Sequence, residues 1–491
     1  MCGFVGLVGV KPVAPALLMG LQAVQHRGQD ACGIGTWDHG LIQVYKDLGR
    51  TNEVFDRDVL STLTGNAGIG HVRYPTVGSS TRTDAQPFFT QRPAIVAAHN
   101  GNLVNLEALY AHLQSRGMRA MSTCDSEPIL LVLADELLQR KVVDHNEDDL
   151  VIALRRTMEE LRGAYSVAAV MAIAGRETLI AFRDPYGIRP AVYGRRRDGA
   201  WMVASESVSL DVLDFDRVGD VPPGAVVFLR AGEEPIVRQV VEGTARHCIF
   251  EDIYFARPDS VMAGKRVYAQ RWAFGERLAD EWLRKGVEAD VVVAVPDTSR
   301  PAAQAMAERL GVKSREGFIK NRYSGRTFIM PDQRSREAEM RLKLNPIDEI
   351  FRGQRVVLVD DSIVRGTTMR RIVQMVRKLE PAALHVAIFS PAVVDPCFYG
   401  IDMPSREELV ASKVDGGSAE ELEARLAATF GADTVTFLSR DGLRAVAGDR
   451  ICSACFGGGY PVAVGDDERG YIVRDRRPET GSATAGRAAA R

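Results

Sequence analysis

No apolar run in this chain approaches the roughly 20 residues that cross a bilayer. No basic segment or cleavage-site pattern accompanies its opening, MCGFVGLVGV, so a secretory signal is not expected and a cytoplasmic protein is. An excess of one charge is also missing: 62 Lys and Arg stand against 64 Asp and Glu, for a net charge of −2. That balance argues against a general nucleic-acid-binding surface. Cysteine is sparse, and seven in 491 residues do not suggest a disulfide framework in a cytosolic chain. There is no internal repeat. Nor is there a GxxxxGK(S/T) loop, which disfavours a P-loop nucleotide hydrolase.

What is present is the composition of a soluble globular protein, 46% hydrophobic and 26% charged, at a length that predicts two domains. The first, residues 2–245, reads as strand-rich, with AIVAAHNGN, YSVAAVMAIAG, ETLIAFRD and AWMVASES as strands. Helical spacing at Leu106, Leu109, Tyr110 and Leu113, and again at Leu130, Leu133, Ala134 and Leu137, predicts helices outside stacked sheets. The second, residues 246–465, alternates continuous β-branched strands such as DVVVAVP and RVVLV with helices, the mark of a parallel α/β sheet. Residues 466–491 lack apolar periodicity and read as a mobile tail.

VVLVDDSIVRGTT is the most informative stretch of the second half. A buried strand delivers Asp360 and Asp361, and a helix then starts with Arg365, Gly366, Thr367 and Thr368. Loop amides and a helix N-terminus at a strand's carboxyl end form an anion site. Adjacent carboxylates suit ribose hydroxyls or Mg²⁺; on the plainer reading they cap the helix. The run IKNRYSGRTFIMP is basic and, on the plainer reading, a solvated loop.

Cys2 poses the question in the first half. Once Met1 is removed it carries a thiol and an α-amine with a reference pKa of about 7.7–8.0, able to act as nucleophile and base. Alone, a second-position cysteine is more simply a small packed hydrophobe. Asn100-Gly101 is a common hairpin pair, Asp125 a plausible helix cap, and Arg73 a plausible surface ion pair. The pair Cys452 and Cys455, with Cys248 and Cys397, is ambiguous among zinc, iron–sulfur and redox chemistry.

Taken together these motifs carry a resemblance over nearly the whole chain. HRGQD, GHVRYPTVG, HNGNL and CDSE, in that order, resemble the N-terminal-nucleophile glutamine amidotransferases. VVLVDDSIVRGTT, VPDTS, IKNRYSGRTFIMP and CFYGIDMPS resemble the type I phosphoribosyltransferases, and specifically their glutamine-dependent amidophosphoribosyltransferase family, iron–sulfur type. The resemblance implies an α+β amidotransferase domain of stacked antiparallel sheets followed by an α/β phosphoribosyltransferase domain. It assigns Cys2 as nucleophile, Asn100 and the Gly101 amide as oxyanion hole, and Arg73 and Asp125 to the glutamine carboxylate and amine, with Tyr74 and Thr76 shaping that pocket. It makes Thr298, Asp360 and Asp361 ligands of Mg²⁺, directly or through water. Arg365, Gly366, Thr367 and Thr368 then cradle a ribose 5-phosphate, and Lys320, Arg322 and Tyr323 belong to a loop closing over pyrophosphate.

Cys248, Cys397, Cys452 and Cys455 are implied to hold a structural 4Fe–4S cluster, with Zn²⁺ as the alternative; Cys32 and Cys124 are left as core residues. Many iron–sulfur members carry a short propeptide, whereas only Met1 precedes Cys2 here. The implied reaction joins glutamine hydrolysis to displacement of pyrophosphate from phosphoribosyl pyrophosphate, in a homotetramer inhibited by purine nucleotides. Glucosamine-6-phosphate synthase shares the first domain, but the DDSIVRGTT loop argues against sugar-isomerase domains. A non-catalytic regulator that binds phosphoribosyl pyrophosphate would leave Cys2, Arg73, Asn100 and Asp125 idle.

Overall fold

The structure, a computed structural model, describes residues 2–75, 81–140, 144–321, 344–403, 405–413 and 417–475. The chain forms two compact units. One comprises Met1–Ala245 with Phe398–Asp402 and Val462–Arg491; the other comprises Arg246–Cys397 with Met403–Pro461.

Two wholly antiparallel sheets build the first unit. In the seven-stranded sheet Gly3–Val8 is central, paired with Trp201–Ala204 on one edge and Ala67–Arg73 on the other. In the six-stranded sheet Ala94–Leu103 pairs along its length with Gly163–Ile173. The first strand shows why the sheets stack. Phe4 and Val8 face a core shared with Val96, Ala168 and Val227 of the other sheet, while Val5 and Leu7 face the outer helix Val13–Ala23. That is the two-residue alternation of a strand buried on both faces. On the far side, helices Leu106–Ser115, Ser126–Gln139 and Glu147–Glu160 cover the six-stranded sheet through Leu109, Leu133 and Leu154. Each such fully buried side chain contributes about 1.5–3 kcal/mol. The expected stacked sheets with outer helices are the observed ones.

The second unit holds a five-stranded parallel sheet. Its spatial order is Lys313–Arg315, Val291–Ala294, Arg355–Asp360, Ala383–Ile388 and Thr434–Phe437. The strand order reverses between Val291–Ala294 and Arg355–Asp360, so the carboxyl ends of these two strands flank the topological switch point where such sheets bind ligands. Helix Thr367–Arg377 buries Met369, Ile372, Val373 and Val376 against the sheet.

The tail departs from expectation in part. Asp466–Asp475 is helical, with Asp466, Asp467 and Glu468 in its first turn, where acidic groups complement the helix dipole. Glu468 also meets Arg162 at 2.6 Å. Residues 476–491 lie outside the described ones. Among the described residues no helix is long and apolar enough to cross a membrane.

The strands at the switch point are stapled at their starts. Arg355 donates to Asp290 from its backbone amide at 2.8 Å and from Nη2 at 2.6 Å. Hydrogen bonds from Arg355 hold the Asp290 carboxyl down, from 3.8 to about 2. A depressed carboxylate stabilises the fold above its unfolded value and loses that contribution as pH falls through its folded one. Asp290→Asn is therefore expected to lower the urea midpoint at neutral pH, by a modest amount because the pair is partly solvated. The gap from the parent should close between pH 3.8 and about 2, as read by urea unfolding at successive pH values.

Candidate active sites

The first site is built around the residue preceding the central strand. The Cys2 carbonyl accepts from Arg27 Nε at 2.9 Å. Arg27 is buried, and its charge is met by equally buried Glu206 at 2.5 Å, which also meets His26 at 2.8 Å. An unpaired guanidinium at that depth would be costly, so Glu206 is what permits Arg27 to hold the chain start. The Cys2 amide nitrogen donates to Asn100 Oδ1 at 3.3 Å, and its thiol donates to the Tyr74 carbonyl at 3.6 Å.

Asn100 and Gly101 are not a hairpin turn. They lie inside the Ala94–Leu103 strand, paired with Ser166 and Tyr165. Asn100 Nδ2 is buried with no hydrogen-bond partner, a costly state for a donor and the one expected of a group kept for a developing oxyanion. Asp125 precedes helix Ser126–Gln139 but its side chain makes no cap bond; it accepts instead from the Leu103 amide at 3.1 Å. Arg73 is 2% exposed, not a surface residue. Burial opposes its charge, but the groups around it, the Asp84 and Asp125 carboxylates among them, more than compensate and hold the guanidinium above its ordinary value. The Tyr74 hydroxyl donates to Asp402 at 2.9 Å.

The structure thus brings Cys2, Arg73, Tyr74, Asn100, Gly101 and Asp125 together, while Thr76 lies outside the described residues. Burial pushes the thiols of Cys32 and Cys124 up to about 12. They stay neutral and unsuited to nucleophilic attack. Arg27 and Glu206 had no role in the sequence reading. HRGQD flags the arginine, but nothing near Glu206 in the chain marks it.

The second site stands at the switch point. Asp360 ends its strand and accepts from the Asp361 amide at 3.0 Å, while Ser362 Oγ donates to Asp361 at 2.6 Å. Burial and then the neighbouring carboxylate push Asp360 well up. Burial takes Asp361 to about 6, against the opposing pull of Ser362 and Arg271. Two adjacent carboxyls, Asp361 buried and Asp360 partly so, whose surroundings penalise their charge are a fit donor set for a hard cation, which offsets that penalty.

Gly366 turns the chain into helix Thr367–Arg377 with φ +74°, a left-handed conformation open to glycine. A Cβ there would stand 2.8 Å from the Phe430 ring. The Thr367 and Thr368 amides therefore open the helix where an anion would sit. Arg365 is exposed and donates to Glu408 at 3.3 Å. On the adjacent strand's carboxyl end Thr298 is half-buried, and Lys320 reaches its neighbour Asp297 at 2.7 Å. Arg322 and Tyr323 lie outside the described residues.

All four remaining cysteines are buried. Cys248 and Cys452 face each other on two short parallel strands. Burial, then Cys397, Cys248 and Cys452, push the Cys455 thiol far up. The four sulfurs therefore share one neighbourhood, although among the described residues no three His, Cys, Asp or Glu side chains are arrayed as a metal site.

Comparison with known proteins agrees with this division. Residues 71–212 match a glutamine amidotransferase domain family and residues 270–396 a phosphoribosyl transferase domain family. The chain is 44% identical to the amidophosphoribosyltransferase of Pseudomonas aeruginosa, over 96% of this chain and 95% of that one. With the Methanocaldococcus jannaschii amidophosphoribosyltransferase it is 40% identical, over 94% and 98%. The solved glutamine phosphoribosylpyrophosphate amidotransferase of B. subtilis, complexed with ADP and GMP, superposes with a TM-score of 0.83 at 36% identity, covering 95% of this chain and 98% of that one.

If Asn100 Nδ2 receives an oxyanion, Asn100→Ala should lower kcat for glutamine hydrolysis by about 10²–10³, read as glutamate release, and leave ammonia-driven turnover at the second site in place.

Proposed function

The chain belongs to the amidophosphoribosyltransferase family, and from that premise we propose how its residues divide the work. The activity itself is glutamine-dependent amidophosphoribosyl transfer, the committed step into purine synthesis: glutamine yields ammonia, which displaces pyrophosphate from phosphoribosyl pyrophosphate to give 5-phosphoribosylamine. The observation that carries the residue assignment is the buried, unpartnered Nδ2 of Asn100 beside Cys2.

With Met1 removed, the α-amine of Cys2 takes the thiol proton and Sγ attacks the glutamine amide carbon. Negative charge develops on the carbonyl oxygen and is received by Asn100 Nδ2 and the Gly101 N–H. The amine returns the proton to the leaving ammonia, and water then hydrolyses the glutamyl thioester. Arg73 binds the substrate carboxylate, which a guanidinium can meet with two parallel bonds. Asp125 takes its ammonium, and Tyr74 and Thr76 close the pocket.

In the second unit Asp360, Asp361 and Thr298 hold Mg²⁺, directly or through water. When bound, the ion offsets the charge of the departing diphosphate. Arg365, Gly366, Thr367 and Thr368 cradle the 5-phosphate, with Lys320, Arg322 and Tyr323 over the diphosphate. Ammonia passes between the sites inside the protein. Cys248, Cys397, Cys452 and Cys455 hold a 4Fe–4S cluster. Four gathered, buried sulfurs support that reading, and the role is structural, since metal-ligand energy contributes directly to folding. We further assign residues 2–245 and 246–465 as the working domains, a homotetramer in the cytoplasm, and purine nucleotides as inhibitors; nucleotides in the B. subtilis relative's structure support the last.

Protein purified without oxygen should release glutamate and pyrophosphate in equal amounts from glutamine, Mg²⁺ and phosphoribosyl pyrophosphate. Cys2→Ala should abolish both with glutamine and retain pyrophosphate release with ammonia; glutamate without pyrophosphate would overturn the second assignment. Stoichiometric removal of iron should make residues around Cys248 and Cys452 sensitive to protease, and unchanged resistance would refute a structural cluster.

A further inference from the structure

Five residues from far along the chain, Phe398–Asp402, belong to the first unit, and they lie against the strand that carries Asn100 and Gly101. Strand alternation turns the amide and carbonyl of every second residue toward the same edge. At His99 both groups engage the Gln86 side chain, the amide at 2.7 Å and the carbonyl at 3.3 Å. At Leu103 the amide engages Asp125 at 3.1 Å. Gly101 stands between them, and what lies over its carbonyl, on the Gly101–Asn102 peptide, is Gly400. A Cβ on Gly400 would be 2.8 Å from the Gly101 oxygen, 3.0 Å from its carbonyl carbon and 3.5 Å from the Asn102 nitrogen.

This strap is held from the first unit. Asn102 Nδ2 donates to the Phe398 carbonyl at 2.9 Å. Arg189, fully buried, donates Nε to the Tyr399 carbonyl at 2.7 Å and Nη2 to the same oxygen. The Tyr399 hydroxyl exchanges hydrogen bonds with the Val462 backbone, accepting from its amide at 2.9 Å. None of the chemistry assigned above uses Arg189, yet burying a guanidinium carries a desolvation penalty.

An oxyanion donor must be held within a few tenths of an ångström of where charge develops. Glycine does little to fix its own torsions, so the Gly101 amide depends on what packs around it. We propose that Arg189 is a positioning residue for glutamine hydrolysis: it holds the Phe398–Gly400 strap against the Gly101 carbonyl, limits the torsions of that glycine, and so keeps the N–H on its other side aimed at the oxyanion. The inference rests on the assignment of Cys2, Asn100 and Gly101 given above.

The test uses the full chain with its metal complement, comparing Arg189→Met, Arg189→Lys and Gly400→Ala with the parent and with Cys2→Ala. For Arg189→Met and Gly400→Ala the expected result is a fall in kcat for glutamine hydrolysis of about 10- to 100-fold, less than loss of a whole oxyanion donor. KM for glutamine should stay within about threefold, because Arg73 and Asp125 hold the substrate's other end. Ammonia-driven pyrophosphate release should be unchanged, and Arg189→Lys, which keeps a cationic donor, should recover part of the loss.

Full glutamine turnover in Gly400→Ala would overturn the proposal. So would a rise in KM matching the fall in kcat, or a parallel loss of the ammonia-driven rate, which would mark a role in folding alone. Persistent hydrolysis in Cys2→Ala would instead overturn the nucleophile assignment on which the proposal stands.

Discussion

The pairing of Gly3–Val8 on both of its edges is the constraint from which the first site follows. On the proposed assignment Cys2 becomes an amino-terminal nucleophile, and on a frayed end it would surrender most of the advantage of proximity. Here the first strand is the middle of a sheet. The carbonyl just before it is fixed by Arg27, and Arg27 is tolerable in that depth only because Glu206 pairs with it. Cys2 is thereby presented to Asn100 and Tyr74 with little left to order when substrate arrives. The strand's alternation gives its inward side chains to the shared core and its outward ones to a helix, so the packing that stabilises the sheet also locates the thiol.

The second site obeys a different rule. Parallel strands end their backbone pairing together, and where the strand order reverses they leave a crevice. Asp360 ends and Asp361 follows one strand, and Thr298 lies in the turn beyond the other; they stand at that crevice because both strands are too apolar to be anywhere but the sheet centre. Burial raises the pKa of both Asp360 and Asp361, a penalty on their charge that a bound cation offsets. The first site thus holds a buried donor without a partner, Asn100 Nδ2, and the second an adjacent pair of carboxyls whose charge is penalised.

How much of this was legible depended on how local the signal was. Asp360, Asp361 and the Arg365–Thr368 turn are contiguous, and an apolar strand announces them. The stacked sheets and outer helices follow from periodicity. Asn100 and Asp125 were legible only through family resemblance, since a turn pair and a helix cap explain them equally well in isolation; in the fold Asn100 is mid-strand and Asp125 caps nothing with its side chain. Glu206, Arg189 and the return of Phe398–Asp402 to the first unit were not legible at all. Each acts across roughly two hundred residues or more of chain, a separation at which spacing carries no information. The helix at Asp466–Asp475 was missed because its composition is polar; an ion pair to Arg162 and acidic residues in its first turn support it where an apolar face does not.

The central claim is that a freed amino-terminal cysteine does the first half of the chemistry. Acid-quenching the enzyme during turnover on glutamine and analysing its peptides by mass spectrometry tests this most directly. The account predicts that the amino-terminal peptide lacks Met1 and carries a glutamyl group on Cys2, with the peptides of Cys32 and Cys124 unmodified. Active enzyme that retains Met1, or a glutamyl group found on another residue, would contradict it.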